Sequence, residues 1–288
     1  MLKQVPFRQA PASLKAANGG SFKSIPTRVA VFLLVLTAPL QAGTVVEWFA
    51  SDWAGANSSW ESRTGKQTLF YDTYKGSAPL LSEDTLDGAV IKTAVFSGKD
   101  FLTTPLEQTD RPWAGISEFS ITVVFRSKTP PAGATTDLNA FHDFKGMVGF
   151  EVGGLNSGDF GIGIWNDGTK TGAVAAGAGL PVDVGISAGA LNDDAWHTVT
   201  FTAARQEKDT FALSVYADGR LVRTETRIPD TSGQNATALA NQSFSVGTIR
   251  GGGNAPFTGS IAAIRLDTTP LSAADIATMH RTYLGLKK

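Results

Sequence analysis

Apolar and polar residues alternate with a period of two along most of this chain. The stretch Phe119–Phe125 reads FSITVVF, His197–Phe201 reads HTVTF, and Phe211, Leu213 and Val215 alternate in the same way. Such a pattern turns one face of a β-strand towards a core and the other towards solvent. Further strands are predicted at Val45–Phe49, Val90–Phe96, Met147–Val152, Phe160–Trp165, Leu221–Thr226, Ser243–Val246 and Phe257–Leu266.

The segments between these strands carry turn and loop signals. Asp218-Gly219 separates Phe211–Ala217 from Arg220–Thr226. Asp-Gly favours a tight hairpin because both central residues need positive φ. Thr129–Thr136, which contains two prolines, and the Ala/Gly-rich stretch Ala173–Gly179 are interpreted as loops.

One helix is predicted, close to the C-terminus. Ser272 and Asp275 have the spacing of a capping box, and Ile276, Met279 and Tyr283 follow on one helical face. Many short strands with turn signals and one closing helix are typical of a single all-β sandwich or barrel.

The N-terminus has the pattern of a signal peptide. The first 42 residues contain five basic and no acidic side chains, and they include the apolar run Val29–Leu36. Pro39 and the small residue Ala42 follow, so cleavage is predicted after Ala42. The alternative is a membrane anchor, but a spanning helix needs about 20 apolar residues. We therefore expect a signal peptide at 1–42, one domain at 43–288, and a periplasmic, cell-surface or secreted protein.

Composition excludes several classes of function. The chain has 288 residues and no cysteine, which rules out thiolate metal sites and cysteine nucleophiles. Residues 43–288 contain 20 basic and 26 acidic side chains without a basic cluster, so a nucleic-acid partner is not expected. No second long apolar run follows, so no membrane span is expected in the mature chain.

An ordered set of motifs occupies the second half of the chain. They are W-H-x-V at Trp196–Val199, L-x-V-Y-x-D-G at Leu213–Gly219, V-G at Val246-Gly247, F-x-G-x-I at Phe257–Ile261 and L-S-x-x-D-I at Leu271–Ile276. This order resembles the laminin G-like, concanavalin A-like lectin/glucanase superfamily, and within it the bacterial exported branch. The resemblance implies a two-sheet antiparallel jelly-roll sandwich. It leaves function open, because lectins, adhesion modules, glycosidases and lyases share this fold.

Two patterns in the sequence bear on catalysis. Gly185–Gly189 matches GxSxG, but that motif needs a strand-to-helix turn and here a further strand follows, so it is interpreted as a chance match. The glucanases of the superfamily carry E-x-D-x-x-E on one strand, and this string is absent. Glu47 and Asp52 would point to opposite faces of a regular strand. A polysaccharide hydrolase or lyase is kept as the lesser alternative.

Two tryptophans are candidates for ligand binding. Trp165 is followed by Asn166 and Asp167 at a turn, which places a ring, an amide and an acid together, and Trp60 lies in a polar stretch. Sugar recognition uses such an aromatic platform beside polar groups. The alternative is that either ring caps the sandwich.

A calcium ion is the one cofactor considered, because relatives of this fold often hold Ca²⁺ through carboxylate, amide and backbone oxygens. Asp159 and Asn156 are the candidate ligands. The expected function is an exported lectin-like binding module for a polysaccharide or glycoconjugate. A structural or adhesive domain that meets another extracellular protein is the alternative.

Overall fold

The computed structural model describes residues 43, 45–55, 58–69, 77–86, 88–105, 111–113, 118–150, 159–180, 182–207, 210–227, 243–249 and 256–285. The chain divides into two units, residues 1–40 and 41–288, and every described residue belongs to the second. The predicted signal peptide therefore lies outside the described residues and stays a prediction. No helix among the described residues is long and apolar enough to cross a membrane.

Strands make up most of the described chain. In chain order they are β1 (Val45–Phe49), β2 (Trp60–Glu61), β3 (Thr68–Leu69), β4 (Leu80–Leu86), β5 (Ala89–Ser97), β6 (Leu102–Thr103), β7 (Phe119–Arg126), β8 (Lys145–Phe150), β9 (Phe160–Trp165), β10 (Ala173–Leu180), β11 (Val182–Gly189), β12 (Trp196–Arg205), β13 (Phe211–Ala217), β14 (Arg220–Arg227), β15 (Ser245–Val246) and β16 (Thr258–Asp267). Short 3₁₀ turns lie at Ala50–Asp52 and Phe141–Asp143, and helix α1 spans Ala273–Tyr283.

These strands form two large sheets and one small ribbon. The eight-stranded sheet has the order β14-β13-β12-β7-β16-β5-β4, with β1 also paired to β16. The six-stranded sheet has the order β11-β10-β9-β8-β15-β6, and β2 pairs with β3. Every pairing between these strands is antiparallel.

The core lies between the two large sheets. Phe119 of β7 and Phe160 of β9 stack with their ring centroids 4.4 Å apart, so they join one sheet to the other. Both belong to one buried cluster that contains inward-facing residues of both sheets. The predicted two-sheet antiparallel jelly-roll sandwich with one C-terminal helix is confirmed.

Local signals in the sequence explain two of its connections. At the β13–β14 hairpin Asp218 and Gly219 have φ of 49° and 75°, the left-handed values that an Asp-Gly turn supplies. Helix α1 begins after Ser272, whose hydroxyl accepts a hydrogen bond from the backbone N–H of Asp275 at 3.2 Å. Both predictions are confirmed.

One loop prediction is wrong. Ala173–Gly179 lies within β10 and is paired on both sides, with β9 and with β11. Alanine and glycine have low strand propensity, but burial between two neighbouring strands outweighs that preference. Thr129–Thr136 lies outside the strands, as predicted.

Candidate functional site

Four glycines form a row across strands β8 to β11 of the six-stranded sheet. Gly149 of β8 pairs with Gly161 of β9, Gly161 pairs with Gly177 of β10, and Gly177 pairs with Gly185 of β11. Alternate residues of a strand point to opposite faces, and the neighbours of these glycines fill the core. The glycine row therefore lies on the outer face of the sheet.

The chain itself covers the glycine row. A Cβ atom added at Gly185 would overlap the carbonyl oxygen of Leu138, and one added at Gly177 would overlap Cβ of Phe141. Added Cβ atoms at Gly149 and Gly161 would lie 2.8 and 2.7 Å from the side chain of Ile249. The missing side chains thus let the covering residues lie directly on the backbone.

The covering residues form a second apolar layer outside the sandwich. Phe141, Phe144 and Ile249 are buried there together with Ala175 of β10. The outer face at the glycine row is therefore filled by packed side chains. Regular alternation of glycine with large residues in Phe160–Trp165 is the sequence signal that could have shown this face to be closely covered.

The prediction of Trp60 as an exposed ligand-binding residue is wrong. Its side chain is fully buried and stacks on Trp53 with the ring centroids 5.7 Å apart. Its indole N–H donates to the carbonyl oxygen of Phe49 at 2.8 Å. The polar neighbours of Trp60 in the sequence point away, while the ring itself packs in the core.

The structure brings Trp165, Asn166 and Asp167 together at the turn after β9. The Trp165 ring is half-buried against the layer that covers the glycine row. Asn166 Oδ1 accepts a hydrogen bond from the N–H of Gly168 at 3.1 Å, and Asp167 Oδ1 accepts one from the N–H of Thr169 at 2.9 Å. These oxygens stabilise the turn, and ligand binding by the three residues stays a prediction.

The predicted calcium ligands can be placed only in part. Asp159 is fully buried just before β9, and Asn156 lies outside the described residues. Among the described residues, no group of three or more His, Asp or Glu side chains comes together in a way that could hold a metal ion. Ca²⁺ is also bound by amide and backbone oxygens, so calcium binding stays a prediction.

The catalytic patterns of the sequence have structural roles. Ser187 of the GxSxG match lies within strand β11, where its hydroxyl accepts a hydrogen bond from the N–H of Gly189 at 3.2 Å. Glu47 Oε1 lies 2.9 Å from Arg265 Nη1 and accepts a hydrogen bond from the Tyr283 hydroxyl. Asp52 pairs with Arg63, whose guanidinium lowers the pKa of that carboxyl.

His197, at the start of β12, holds two loops together. Its Nδ1 lies 2.8 Å from Oδ2 of Asp218, and its Nε2 lies 2.9 Å from Oδ1 of Asp193. Burial opposes protonation of the ring, but the hydrogen bonds to the two carboxylates outweigh it and raise the pKa of His197. The same bonds lower the pKa of Asp218 and Asp193 against the effect of their own burial.

A cavity opens at one end of the sandwich, where strands of both sheets begin or end. It has a volume of about 290 Å³. We call it the end cavity, and its lining residues are Ser97, Gly98, Thr129, Pro130, Ala132, Lys145, Ile164, Pro256 and Thr258. Three hydroxyl groups, one ammonium group and the apolar surfaces of two prolines and an isoleucine thus surround one space.

Lys145 is the one ionisable residue among the described residues that line the end cavity. It pairs with Ile164 across β8 and β9, so the two side chains share the face that is directed at the core. A Cβ atom added at Gly133 would lie 3.6 Å from Lys145 Nζ, which places the ammonium beside the 131–134 turn. No sequence pattern marks this lysine, because its cavity is assembled from segments that are distant along the chain.

Asn192 fastens the wall of the end cavity to a neighbouring loop. Its amide Nδ2 donates to the carbonyl oxygen of Thr129 at 2.5 Å and to that of Thr171 at 2.6 Å. Asn192 is buried, so these bonds lie out of water. The lining segment at Thr129 is therefore held by a side chain that lies outside the lining itself.

Comparison with known proteins gives a family match and no match to an individual curated sequence. The family described as the concanavalin A-like lectin/glucanases superfamily matches residues 97–277. No curated protein matches the sequence.

Solved structures of similar fold include a domain of an extracellular arabinanase and two domains that are named for binding. Domain 4 of AbnA, a GH43 extracellular arabinanase from Geobacillus stearothermophilus solved with arabinotriose, has a TM-score of 0.52 at 15% identity, covering 83% of this chain and all of that domain. The receptor-binding domain of botulinum neurotoxin C/D mosaic serotype has a TM-score of 0.52 at 14% identity, covering 83% of this chain and 51% of that one. The binding domain of Paraclostridial Mosquitocidal Protein 1 has a TM-score of 0.50 at 13% identity, covering 84% of this chain and 52% of that one. The match spans about half of either toxin domain.

Proposed function

The chain belongs to the concanavalin A-like lectin/glucanase superfamily, and from that premise we propose that it is an exported carbohydrate-binding module whose binding site is the end cavity. The observation that carries the proposal is the contrast between two surfaces. The outer face of the six-stranded sheet is filled at the glycine row, whereas the end cavity is open and lined by groups that suit a sugar.

The lining of the end cavity supports a saccharide ligand. Hydroxyl groups of Ser97, Thr129 and Thr258 can donate and accept hydrogen bonds, as the hydroxyls of a sugar do. Pro130 and Pro256 offer flat apolar surface of the kind that contacts the C–H face of a sugar ring. The volume is near the lower end of the roughly 300–1,000 Å³ typical of ligand pockets, so it suits one or two sugar rings.

The similar structures are consistent with a binding role. Domain 4 of the arabinanase was solved in complex with arabinotriose, and the botulinum and mosquitocidal domains are named for receptor binding or binding. At 13–15% identity these likenesses show the fold alone. They support the proposal only as examples of this fold in domains that are named for binding or were solved with a sugar.

Filling the end cavity tests the proposal directly. The protein is screened on a glycan array and on insoluble polysaccharides, and the variant Ala132→Trp is then compared with it. Ala132 is exposed at the lining, so a tryptophan there can cover the opening without entering the core. We expect binding to fall at least tenfold in A132W.

The matched control is Ala274→Trp, which places the same side chain at an exposed position of α1, away from the lining. It should bind as the unchanged protein does. Absence of glycan binding by the unchanged protein contradicts the proposed function, and equal binding by A132W contradicts its location in the end cavity.

A second function, association with another protein, is favoured by the edges of the eight-stranded sheet. Leu80 on the edge strand β4 is 68% exposed, and Leu221 on the opposite edge strand β14 is 55% exposed. Unpaired edges with apolar side chains are templates for strand addition. Sizing with light scattering tests this function, since a stable oligomer that Leu80→Glu dissociates and sugar does not affect would favour it.

Export and calcium remain predictions with simple tests. N-terminal sequencing of protein recovered outside the cytoplasm should begin at Gly43 if cleavage follows Ala42. Repeating the glycan screen with calcium and then with a chelator shows whether Ca²⁺ contributes to binding. Calcium titration of the unchanged protein and of Asp159→Asn shows whether that carboxylate is a ligand.

A further inference from the structure

We propose that the end cavity selects a saccharide that carries a carboxylate, such as a uronic or sialic acid, and that Lys145 binds that group. This inference rests on the proposed function and deepens it from carbohydrate in general to an acidic sugar. The feature behind it is the lining of the cavity, whose described residues supply one cation and otherwise hydroxyl and apolar groups.

In the described part of the chain, no ion pair or hydrogen bond joins the Lys145 ammonium to another side chain, and the residue is half-buried. By contrast, Lys128, just before the lining segment, has Nζ 3.6 Å from Oδ2 of Asp194. A cation without a counter-charge among its described neighbours gains a charge-assisted hydrogen bond when it binds an anion.

The backbone fixes where that charge points. Lys145 begins β8 and faces the inner layer opposite Ile164, so its stem leaves the sheet at the open end of the sandwich. Its Nζ lies beside the turn that begins at Pro131, next to lining residues Pro130 and Ala132. Strand β8 and the 131–134 turn therefore position the ammonium at the cavity.

The other residues of the lining favour an acidic sugar over an inorganic anion as the ligand. A phosphate or sulfate site usually gathers several backbone N–H groups or a guanidinium around the ion. Here one ammonium is accompanied by three hydroxyl groups and by Pro130, Ile164 and Pro256. That combination matches a ligand with one negative charge, several hydroxyls and an apolar ring face.

The experiment compares each acidic glycan with its neutral counterpart. A panel of oligogalacturonate against the carboxyl-reduced oligomer, and of sialyllactose against lactose, is bound to the unchanged protein and to Lys145→Met. Methionine keeps much of the apolar stem and removes the charge. We expect the acidic member of at least one pair to bind better, and K145M to lose about tenfold or more in affinity for it, as a charged hydrogen bond would give.

Two further variants separate charge in the cavity from charge near it. Lys145→Arg keeps the positive charge and should keep the preference for the acid, which also guards against misfolding as the cause of the loss in K145M. Lys128→Met removes an exposed lysine that lies outside the lining and should bind as the unchanged protein does.

The outcomes distinguish the two levels of the proposal. If neutral and acidic glycans bind equally, or if the preference survives in K145M, the assignment of Lys145 is overturned while the carbohydrate-binding function stands. If no glycan of any kind binds, the proposed function fails and the inference fails with it.

Discussion

His197 Nδ1 and Asp218 Oδ2 lie 2.8 Å apart, and this contact joins the start of β12 to the β13–β14 hairpin. The pKa of His197 is raised and that of Asp218 is lowered. The histidine then contributes stability that is complete below its unfolded pKa of about 6.5 and is lost as pH rises through the folded value. The aspartate contributes stability that is present above about pH 4 and is lost as pH falls through its folded value.

The variant His197→Gln should therefore lose most stability between about pH 4 and 6.5, relative to the unchanged protein. Urea unfolding across pH measures the difference in the free energy of unfolding. The difference should shrink above neutral pH, once His197 has released its proton. A difference that grows towards pH 9 would contradict the assignment.

NMR titration of the histidines gives an independent check. His280 lies beside the same hairpin, with Nδ1 2.9 Å from the Thr198 hydroxyl, and burial lowers its pKa. We expect the His280 signal to titrate below 6.5 and the His197 signal above it. In Asp218→Asn the His197 midpoint should move down, because one carboxylate partner is gone.

Removal of Arg265 should destabilise the protein strongly. Its guanidinium pairs with Glu47 at 2.9 Å and with Asp267 at 2.6 Å, and the Asp267 side chain is nearly inaccessible. Arg265→Met leaves a buried carboxylate without its counter-charge, which costs about 3 kcal/mol of unfolding free energy. Denaturant titration at pH 7 measures this loss.

Arg63→Met is the matched control for that substitution. Arg63 pairs with Asp52 at 2.9 Å, but half of its side chain is exposed to solvent. Solvated pairs contribute little, so we expect a loss below about 1 kcal/mol. Equal losses in the two variants would show that burial of Asp267 is not what makes Arg265 important.

An alanine in the glycine row should disturb the layer that covers it. The Cβ atom of Gly185→Ala would overlap the Leu138 carbonyl oxygen, which is backbone and can yield only if the covering segment lifts. Overpacking of this kind costs about 3 kcal/mol. Thermal and urea unfolding of G185A measure the loss.

Gly168→Ala provides the comparison. Nothing lies within 4 Å of its added Cβ atom, but its φ of 85° is left-handed. That backbone strain alone costs about 1 kcal/mol. If G168A loses as much stability as G185A, the covering residues are not closely packed on the sheet.

Asn192→Ala should loosen the end cavity without touching its lining. The substitution removes both hydrogen bonds from Nδ2, to the carbonyls of Thr129 and Thr171, and leaves those acceptors unsatisfied. We expect a loss of about 1–3 kcal/mol in stability and weaker glycan binding. Ser187→Ala loses one hydrogen bond, from the Gly189 N–H, and should bind glycans normally.

Sequence alone predicts those parts of the fold whose cause is local. The Asp218-Gly219 hairpin and the Ser272 cap depend on residues within a few positions of each other, so their patterns are readable. Strand β10 was missed because its alanines and glycines say nothing about strand formation until β9 and β11 lie on either side. Trp60 was misassigned because its polar neighbours hide a ring that stacks on Trp53.

The candidate site is harder to predict from the sequence than the fold is. The end cavity combines Ser97 at the end of β5, Thr129 beyond β7, Lys145 at the start of β8 and Thr258 at the start of β16. No spacing in the sequence connects these four residues, because three-dimensional proximity at a sandwich end depends on the order of strands in both sheets. Lys145 in particular looks like an ordinary surface lysine until its cavity is seen.

The glycine row has a consequence for how ligand preference can change. Substitutions of these glycines would destabilise the fold. Phe141 and Ile249 pack directly on the glycine backbone, where no side chain can be accommodated. Ala132, in a loop at the end of the sandwich, is exposed and is not under that constraint. If the end cavity binds sugars as proposed, we expect variants with new preferences to carry substitutions at exposed loop residues such as Ala132, while the sheet beneath is unchanged.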